Sequence, residues 1–223
     1  ENNKFFLWHT WFSDVFNRDD KEGFDIVIGN PPYIGEKGHK EIFQPVKSDI
    51  HLGQYYLGKM DYFYFFFHLA FNMLSPHGVA TFITTNYYPT ALGARRLRAD
   101  IKDRMSIKTL FNLGELRLFE NAPGQHNMIS SFAKGKDGCK CQVIDVHKKG
   151  ALNPIMFTSI INHIDEDTTY ADILQENLYD GVENYIRLQD DNENNSLVSI
   201  IRKIEYGNKQ LHQIATINQG IVS

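Results

Sequence analysis

Three short β-branched runs separated by two helical stretches constrain this chain more than any other feature. Phe24-Asp25-Ile26-Val27-Ile28 stops at Gly29 and reads as a buried strand. Val79–Thr84 and Ile107–Asn112 read as two more. Between the first two, Asp61–Leu74 is apolar almost all round, which predicts a helix packed on both sides. Asp61 is placed to cap its start, and Ser75-Pro76-His77-Gly78 to end it. Ala91–Met105 predicts an amphipathic helix bearing Arg95, Arg96, Arg98, Lys102 and Arg104. Strand, helix, strand, helix, strand implies right-handed crossovers in a parallel sheet, hence an α/β fold. Residues 34–59 carry four glycines and scattered charge, and are expected as a long loop. Met128–Lys134 and Gln142–Val146 look like a hairpin-like pair around Gly135–Gly138. After Gly150 the texture turns to short apolar bursts, acidic clusters and the polar tract Gln189–Asn195, with a helix expected over Leu197–Ile204.

Composition narrows the class. The 223 residues are 42% hydrophobic and 13% aromatic, which suits a packed core and argues against a disordered chain. The longest apolar run, Tyr62–Phe71, falls short of the roughly 18–20 residues a membrane span needs and is broken by His68. Two cysteines cannot make a disulfide framework, and no secretory leader pattern is visible, so a reducing cytoplasm is expected. The sequence does not open on Met and stops within Ile221-Val222, so a piece of a longer protein is expected. Residues 1–150 hold 19 Lys+Arg against 16 Asp+Glu, and residues 151–223 hold 4 against 11. Charge alone therefore does not mark a nucleic-acid binder, and any such partner would meet the first part.

Directly after the first strand comes Gly29-Asn30-Pro31-Pro32-Tyr33. Ligands of open α/β sheets sit at the carboxyl ends of strands. Two successive prolines stiffen the backbone and remove two N–H donors, leaving carbonyl acceptors. Asn30 adds a side-chain acceptor and Tyr33 an aromatic face. Such a loop suits a flat group that donates two hydrogens, and the exocyclic amine of adenine is one. Its lone pair is delocalised into the ring. Two acceptors holding its hydrogens favour a pyramidal nitrogen and release that pair for attack. The base must first leave the duplex, and an aromatic face stabilises it once it is out.

Here the sequence resembles the N6-adenine DNA methyltransferases, whose signature is (D/N/S)-P-P-(Y/F/W). The stretch from Gly23 to Ile34 is similar to the TaqI-like gamma type, most of all to the large type IIG restriction–modification enzymes. Phe12-Ser13-Asp14-Val15-Phe16 resembles the family's cofactor-adenine motif, and Asp14 stands 16 positions before Asn30, as in the TaqI-like type. By that resemblance Asp14 accepts from the adenine amine of S-adenosylmethionine and the Val15 amide contacts the ring. Lys59-Met60-Asp61-Tyr62, Pro76–Asn86 and Ala94–Ile101 match further family segments. Leu113-Gly114-Glu115 followed by Leu118-Phe119 resembles a segment whose aromatic packs on the flipped adenine, which makes Phe119 the second wall of the base pocket.

The resemblance implies a Rossmann-like methyltransferase fold, represented by the C-terminal part of its sheet and followed by a mixed linker region. Residues 1–150 would form the catalytic part, 151–210 a connecting region and 211–223 the start of a target-recognition domain. The implied reaction moves a methyl group from S-adenosylmethionine to N6 of a flipped adenine in double-stranded DNA, within a bacterial or archaeal restriction–modification or phage-defence enzyme. Asn30, Pro31, Pro32 and Tyr33 would be catalytic. The glycine-rich cofactor loop and the ribose-binding acid of the family are absent and are expected before Glu1; the sequence-reading domain is expected after Ser223. Two alternatives stay open: a non-catalytic DNA-binding or assembly module, and methylation of another planar amine in RNA or a protein glutamine.

Other features carry less. Cys139-Lys140-Cys141 lacks zinc spacing and a second pair. His68 reads as a core histidine, His126 as a loop residue near the pocket wall. The Arg95–Arg104 run suits a solvated helix face, with phosphate contact as its functional reading.

Overall fold

The computed structural model describes residues 7–119 and 125–189, and beyond them 203, 204, 206, 208, 209 and 214–216. Two helical turns, α1 (Trp8–Trp11) and α2 (Ser13–Phe16), precede β1 (Phe24–Gly29). Then come α3 (Lys40–Ser48), α4 (Phe63–Met73), β2 (Leu74–Thr85), α5 (Arg95–Arg104), β3 (Met105–Asn112), β4 (Leu116–Arg117), β5 (Asn127–Lys134) and β6 (Lys140–Val146). The remaining elements are β7 (Gly150–Ala151), α6 (Pro154–Ile161), β8 (Thr168–Leu174), β9 (Tyr179–Asp180) and β10 (Tyr185–Ile186).

Six strands form one mixed sheet in the order β1-β2-β5-β3-β6-β8. β1 and β2 are parallel, as the crossover through α4 requires. β5 lies between β2 and β3 and runs antiparallel to both, so β2 and β3 point the same way without touching. The expected pairing of 128–134 with 142–146 is thereby overturned. β6 pairs with β3 and β8 instead. No residue of β5 is exposed on either face, which suits the middle of a sheet. The turn after it crosses the start of β3, where Ser106 Oγ donates to the Gly135 carbonyl (2.8 Å) and Gly135 N–H donates to the Arg104 carbonyl (2.9 Å). The sheet continues past residue 150, since β8 adds its sixth strand.

β1 ends the sheet order and is not the buried strand expected. Ile26 is 66% and Ile28 78% exposed, because they face the side that α4 does not cover, while Val27 packs into the core. At its start, Phe24 receives edge contacts from the rings of Trp8, Phe12 and Phe16.

Period-2 alternation splits the sheet's apolar residues between two cores. On one face Phe67 of α4 stacks on Phe82 (4.7 Å between centroids) and meets Phe132 (5.4 Å) and Tyr88 (5.5 Å). On the other, Phe111, Ile144 and Val146 pack with Leu113, Leu116 and Ile160 of α6. α4 begins at Phe63, one residue after Tyr62, so Asp61 does not cap it; the Asp61 carboxylate instead accepts from the Tyr64 hydroxyl (3.3 Å).

The region 34–59 is not a plain loop. α3 forms within it despite Pro45, because Phe43 and Val46 are three apart and both bury. Phe43 packs edge-on against Tyr62 and Phe65. The α5 cations are also spoken for. Arg98 is fully buried and donates to the carbonyls of Tyr88 (2.9 Å), Ala91 (2.6 Å) and Glu183 (3.1 Å), under the Tyr185 ring. Arg96 donates to the carbonyls of Gln54 and Tyr56, Arg104 pairs with Asp100, Arg95 with Glu183, and Lys102 reaches Asn184. This face therefore anchors the 53–57 and 179–187 segments rather than standing free for phosphates. The reason is long-range: the acceptors in those two segments, at Gln54, Tyr56, Glu183 and Asn184, lie 40 to 88 residues away in sequence.

Residues 190–223 form a second unit by contacts. Within it Lys203 and Ile204 are helical and Asn208 Nδ2 donates to the Ile204 carbonyl (2.6 Å). Most of the helix expected over Leu197–Ile204, and of the recognition-domain start expected over 211–223, lies outside the described residues. Among the described residues, no helix is long and apolar enough to cross a membrane.

Candidate active site

The site is built at the carboxyl end of β1. Gly29, its last residue, sits against Phe82; a Cβ there would lie 2.9 Å from the Phe82 ring. The chain then turns outward through Asn30, Pro31, Pro32 and Tyr33. Asn30 and Pro32 are exposed, Pro31 is buried and Tyr33 is half-buried. Downstream the loop is clamped to the approach of α4: Tyr62 N–H donates to the Ile34 carbonyl and Glu36 N–H to the Met60 carbonyl, both at 2.8 Å. A stiff, donor-poor loop is thus held at both ends.

Tyr33 organises the loop from within. Its ring packs edge-on against Phe63 of α4 (6.1 Å). Its hydroxyl lies 2.7 Å from Asn30 Oδ1 and 3.0 Å from the Ile83 carbonyl of β2. Burial raises its pKa to about 12, against a hydrogen bond from the Asn127 side chain that works the other way. At neutral pH it is a neutral phenol.

A row of polar groups that the sequence did not single out continues along the same end of the sheet. Asn127, at the start of β5, is fully buried and donates to the Thr84 carbonyl (3.4 Å). Asn86 Nδ2 donates to Asn112 Oδ1 (2.9 Å), and Asn112 Nδ2 to Asp145 Oδ1 (2.7 Å). Thr85 Oγ1 is buried with no hydrogen-bond partner among the described residues. Each is a polar residue at a strand end, a pattern that gains meaning only once the strand order is known. His126, which the sequence did single out, joins this row: its carbonyl accepts from Asn86 N–H (3.0 Å) and its Nδ1 lies 3.0 Å from the Gly114 carbonyl.

The structure does not bring every expected residue together. Asp14 is exposed in α2, and the Val15 carbonyl accepts from Gly23 N–H (3.3 Å) at the amino end of β1. At the usual rise per residue, Gly23 and Asn30 are roughly 20 Å apart. The Val15 N–H already donates to the Phe12 carbonyl (2.9 Å). Phe119 follows β4, beyond the carboxyl end of β3, and two strands, β2 and β5, separate β3 from β1 in the sheet. It is half-buried, and Leu118 beside it packs on the second core. Cys139 lies against Lys108 Nζ (2.9 Å) and Cys141 is buried in the core, which pushes its thiol up to about 12.

The description of one family, Eco57I restriction-modification methylase, fits residues 1–119, just over half of the chain and all of the loop region. Two relatives from Haemophilus influenzae, the Type II methyltransferases M.HincII and M.HindII, are each 26% identical over 134 residues, or 60% of this chain. The chain spans about a quarter of their length. The methyltransferase subunit of a type I restriction-modification system from Streptococcus thermophilus superposes with a TM-score of 0.52 at 16% identity, over 77% of this chain and 38% of that one. A nuclease-deletion mutant of the Type ISP restriction-modification enzyme LlaGI, solved with a DNA substrate mimic, gives 0.50 at 16% identity over 75% of this chain and 18% of that one. These two likenesses concern the fold.

Proposed function

Because the chain belongs to the Eco57I restriction-modification methylase family, we propose that its protein methylates DNA at the N6 amine of an adenine flipped out of the duplex, with S-adenosylmethionine as methyl donor. The observation that carries this reading is the loop at Asn30: an exposed amide beside two N–H-less prolines and a neutral phenol ring, on a rigid seat at a strand end. It offers acceptors and an aromatic face to a planar amine, which is what an exocyclic adenine nitrogen requires before it can attack a methyl group.

S-adenosylmethionine supplies an activated methyl group. The described residues do not frame a site for it. Asp14 and Val15, the residues suited to its adenine ring, stand at the amino end of β1 while Asn30 stands at the carboxyl end. The chemistry of this chain's own residues is therefore on the acceptor side. The Asn30 amide oxygen and one carbonyl of the two prolines accept the amine's two hydrogens, which localises the lone pair. Tyr33 provides the ring on which the extruded base rests. Once the nitrogen carries its new bond it is cationic, and it releases one proton to solvent water, because the amide and carbonyl oxygens accept hydrogen bonds but are too weakly basic to keep it.

Asn30→Ala in the complete protein tests the reading. Incorporation of labelled methyl into DNA should fall by about 10²–10³ in rate, the usual cost of one transition-state hydrogen bond. The melting temperature should hold, because Asn30 is an exposed loop residue. Nucleoside analysis of wild-type product should show N6-methyladenine. Wild-type turnover by the variant, or methyl found on cytosine, would overturn it.

A further inference from the structure

The Tyr33 hydroxyl has more acceptors around it than protons to give. Asn30 Oδ1 is at 2.7 Å and the Ile83 carbonyl at 3.0 Å, yet a phenol carries one hydrogen. β1 ends at Gly29, opposite Phe82, so the Ile83 carbonyl lies just past the β1–β2 ladder. The part-buried Ile83 carbonyl, past the ladder, calls for a donor, and the Tyr33 hydroxyl lies 3.0 Å from it. With its proton on Ile83, the phenol oxygen can only accept from Asn30.

The Asn30 side chain can satisfy that demand by a half-turn about its Cβ–Cγ bond. Nδ2 then takes the place of Oδ1 and donates to the phenol oxygen. A chain results in which every group is used: Asn30 N–H to Tyr33 O, Tyr33 O–H to the Ile83 carbonyl. The same half-turn points Oδ1 away from Tyr33. Since Asn30 is exposed, that direction is the open side of the loop. In the opposite orientation the loop would meet an incoming amine with the Asn30 NH2, donor against donor.

We propose that Tyr33 is a positioning residue: its hydroxyl, tied to the Ile83 carbonyl, turns the Asn30 amide so that oxygen rather than nitrogen faces the substrate amine. This rests on the reading that the loop takes an adenine amine, and gives Tyr33 a task separate from stacking. The ring supports the base; the hydroxyl sets the polarity of its neighbour.

Tyr33→Phe separates the two tasks, because it keeps the ring and removes the hydroxyl. In the complete protein, kcat should drop about 10-fold or more, the worth of one hydrogen bond at the reacting group. KM for DNA and the fluorescence of an adenine analogue at the target position should stay as in wild type. A stacking or folding role would move those instead. The loss should also run through Asn30. In an Asn30→Ser background there is no amide to turn, so the double variant should lose little beyond Asn30→Ser alone. A wild-type kcat for Tyr33→Phe, or losses that simply multiply in the double variant, would overturn the assignment. If Asn30→Ala is inactive while Tyr33→Phe is untouched, the positioning role alone falls. If Asn30→Ala turns over as wild type, the methylation reading falls and this assignment with it.

Discussion

His68 Nδ1 lies 2.6 Å from Asp100 Oδ2 in the interior, between α4 and α5. The imidazole is fully buried, stacked on Tyr55 at 3.5 Å, and its Nε2 has no hydrogen-bond partner among the described residues. A neutral ring that donates Nδ1–H to the carboxylate fits these contacts; a proton on Nε2 would be stranded. Burial accordingly lowers the His68 pKa, against the pull of Asp100. Asp100 is lowered too: burial alone would raise it, but hydrogen bonds from His68 and Arg104 together outweigh that.

Both depressed groups destabilise the fold when acid is added. For His68 the stability is intact above the unfolded value of about 6.5 and falls as pH drops below it toward the lower folded value. For Asp100 the corresponding loss begins below about pH 3.9. We expect the melting temperature to decline between pH 7.5 and 5.5, and His68→Phe, which keeps the stack on Tyr55, to reduce that slope. Parallel melting curves for the two proteins would show that another group carries it.

Arg98→Lys should destabilise the fold by about 2–4 kcal/mol in urea denaturation, although charge is conserved. Lysine cannot reach three carbonyls in the fork that guanidinium provides, and each buried carbonyl left without a donor costs about 1–3 kcal/mol. The carbonyls at stake are those of Tyr88, Ala91 and Glu183. Because Glu183 belongs to the 179–187 segment, limited proteolysis should cut there first in the variant. A stability within 0.5 kcal/mol of wild type, about the scatter for neutral surface changes, contradicts this account.

Gly93→Ala tests a close approach. A Cβ at Gly93 would sit 2.1 Å from the Lys59 carbonyl oxygen, so the backbone before α4 would have to move. The 58–60 stretch leads to the Glu36–Met60 hydrogen bond that clamps the candidate loop. Gly93→Ala should therefore lower both melting temperature and methyl transfer, and thermal melting beside a turnover assay checks both. Full activity would mean that the loop does not depend on this clamp.

What the sequence made legible was local. The strand before Asn30, the helix rich in Phe between Phe63 and Met73, and the two crossovers follow from period and punctuation over windows of ten or so residues. What it hid was order across the sheet. Nothing near Asn127–Lys134 says that this strand enters between β2 and β3, because strand neighbours are chosen by contacts between distant segments. The same blindness covers Arg98, whose acceptor at Glu183 is 85 positions away, and Asn127, a polar residue whose burial depends on that strand insertion. Tyr33 was visible as an aromatic face but not as a hydroxyl bridging Asn30 to Ile83, since the Ile83 partner is 50 positions away.

Tyr33→Ala should differ from Tyr33→Phe in what it damages. It removes the ring as well as the hydroxyl, and stacking is worth about 1–3 kcal/mol per base. The equilibrium for extruding the target base should then shift back toward the duplex by about 5- to 150-fold, the same energies expressed as ratios. A fluorescent adenine analogue at the target position reads this directly: it is bright when unstacked and dim within the helix, so the mutant complex should stay dim where wild type brightens. Loss of the edge contact with Phe63 also opens space beside α4, so a modest fall in melting temperature should accompany it. An analogue signal equal to wild type, with the fold intact, would remove the Tyr33 ring from the base pocket and leave only its hydroxyl in the site.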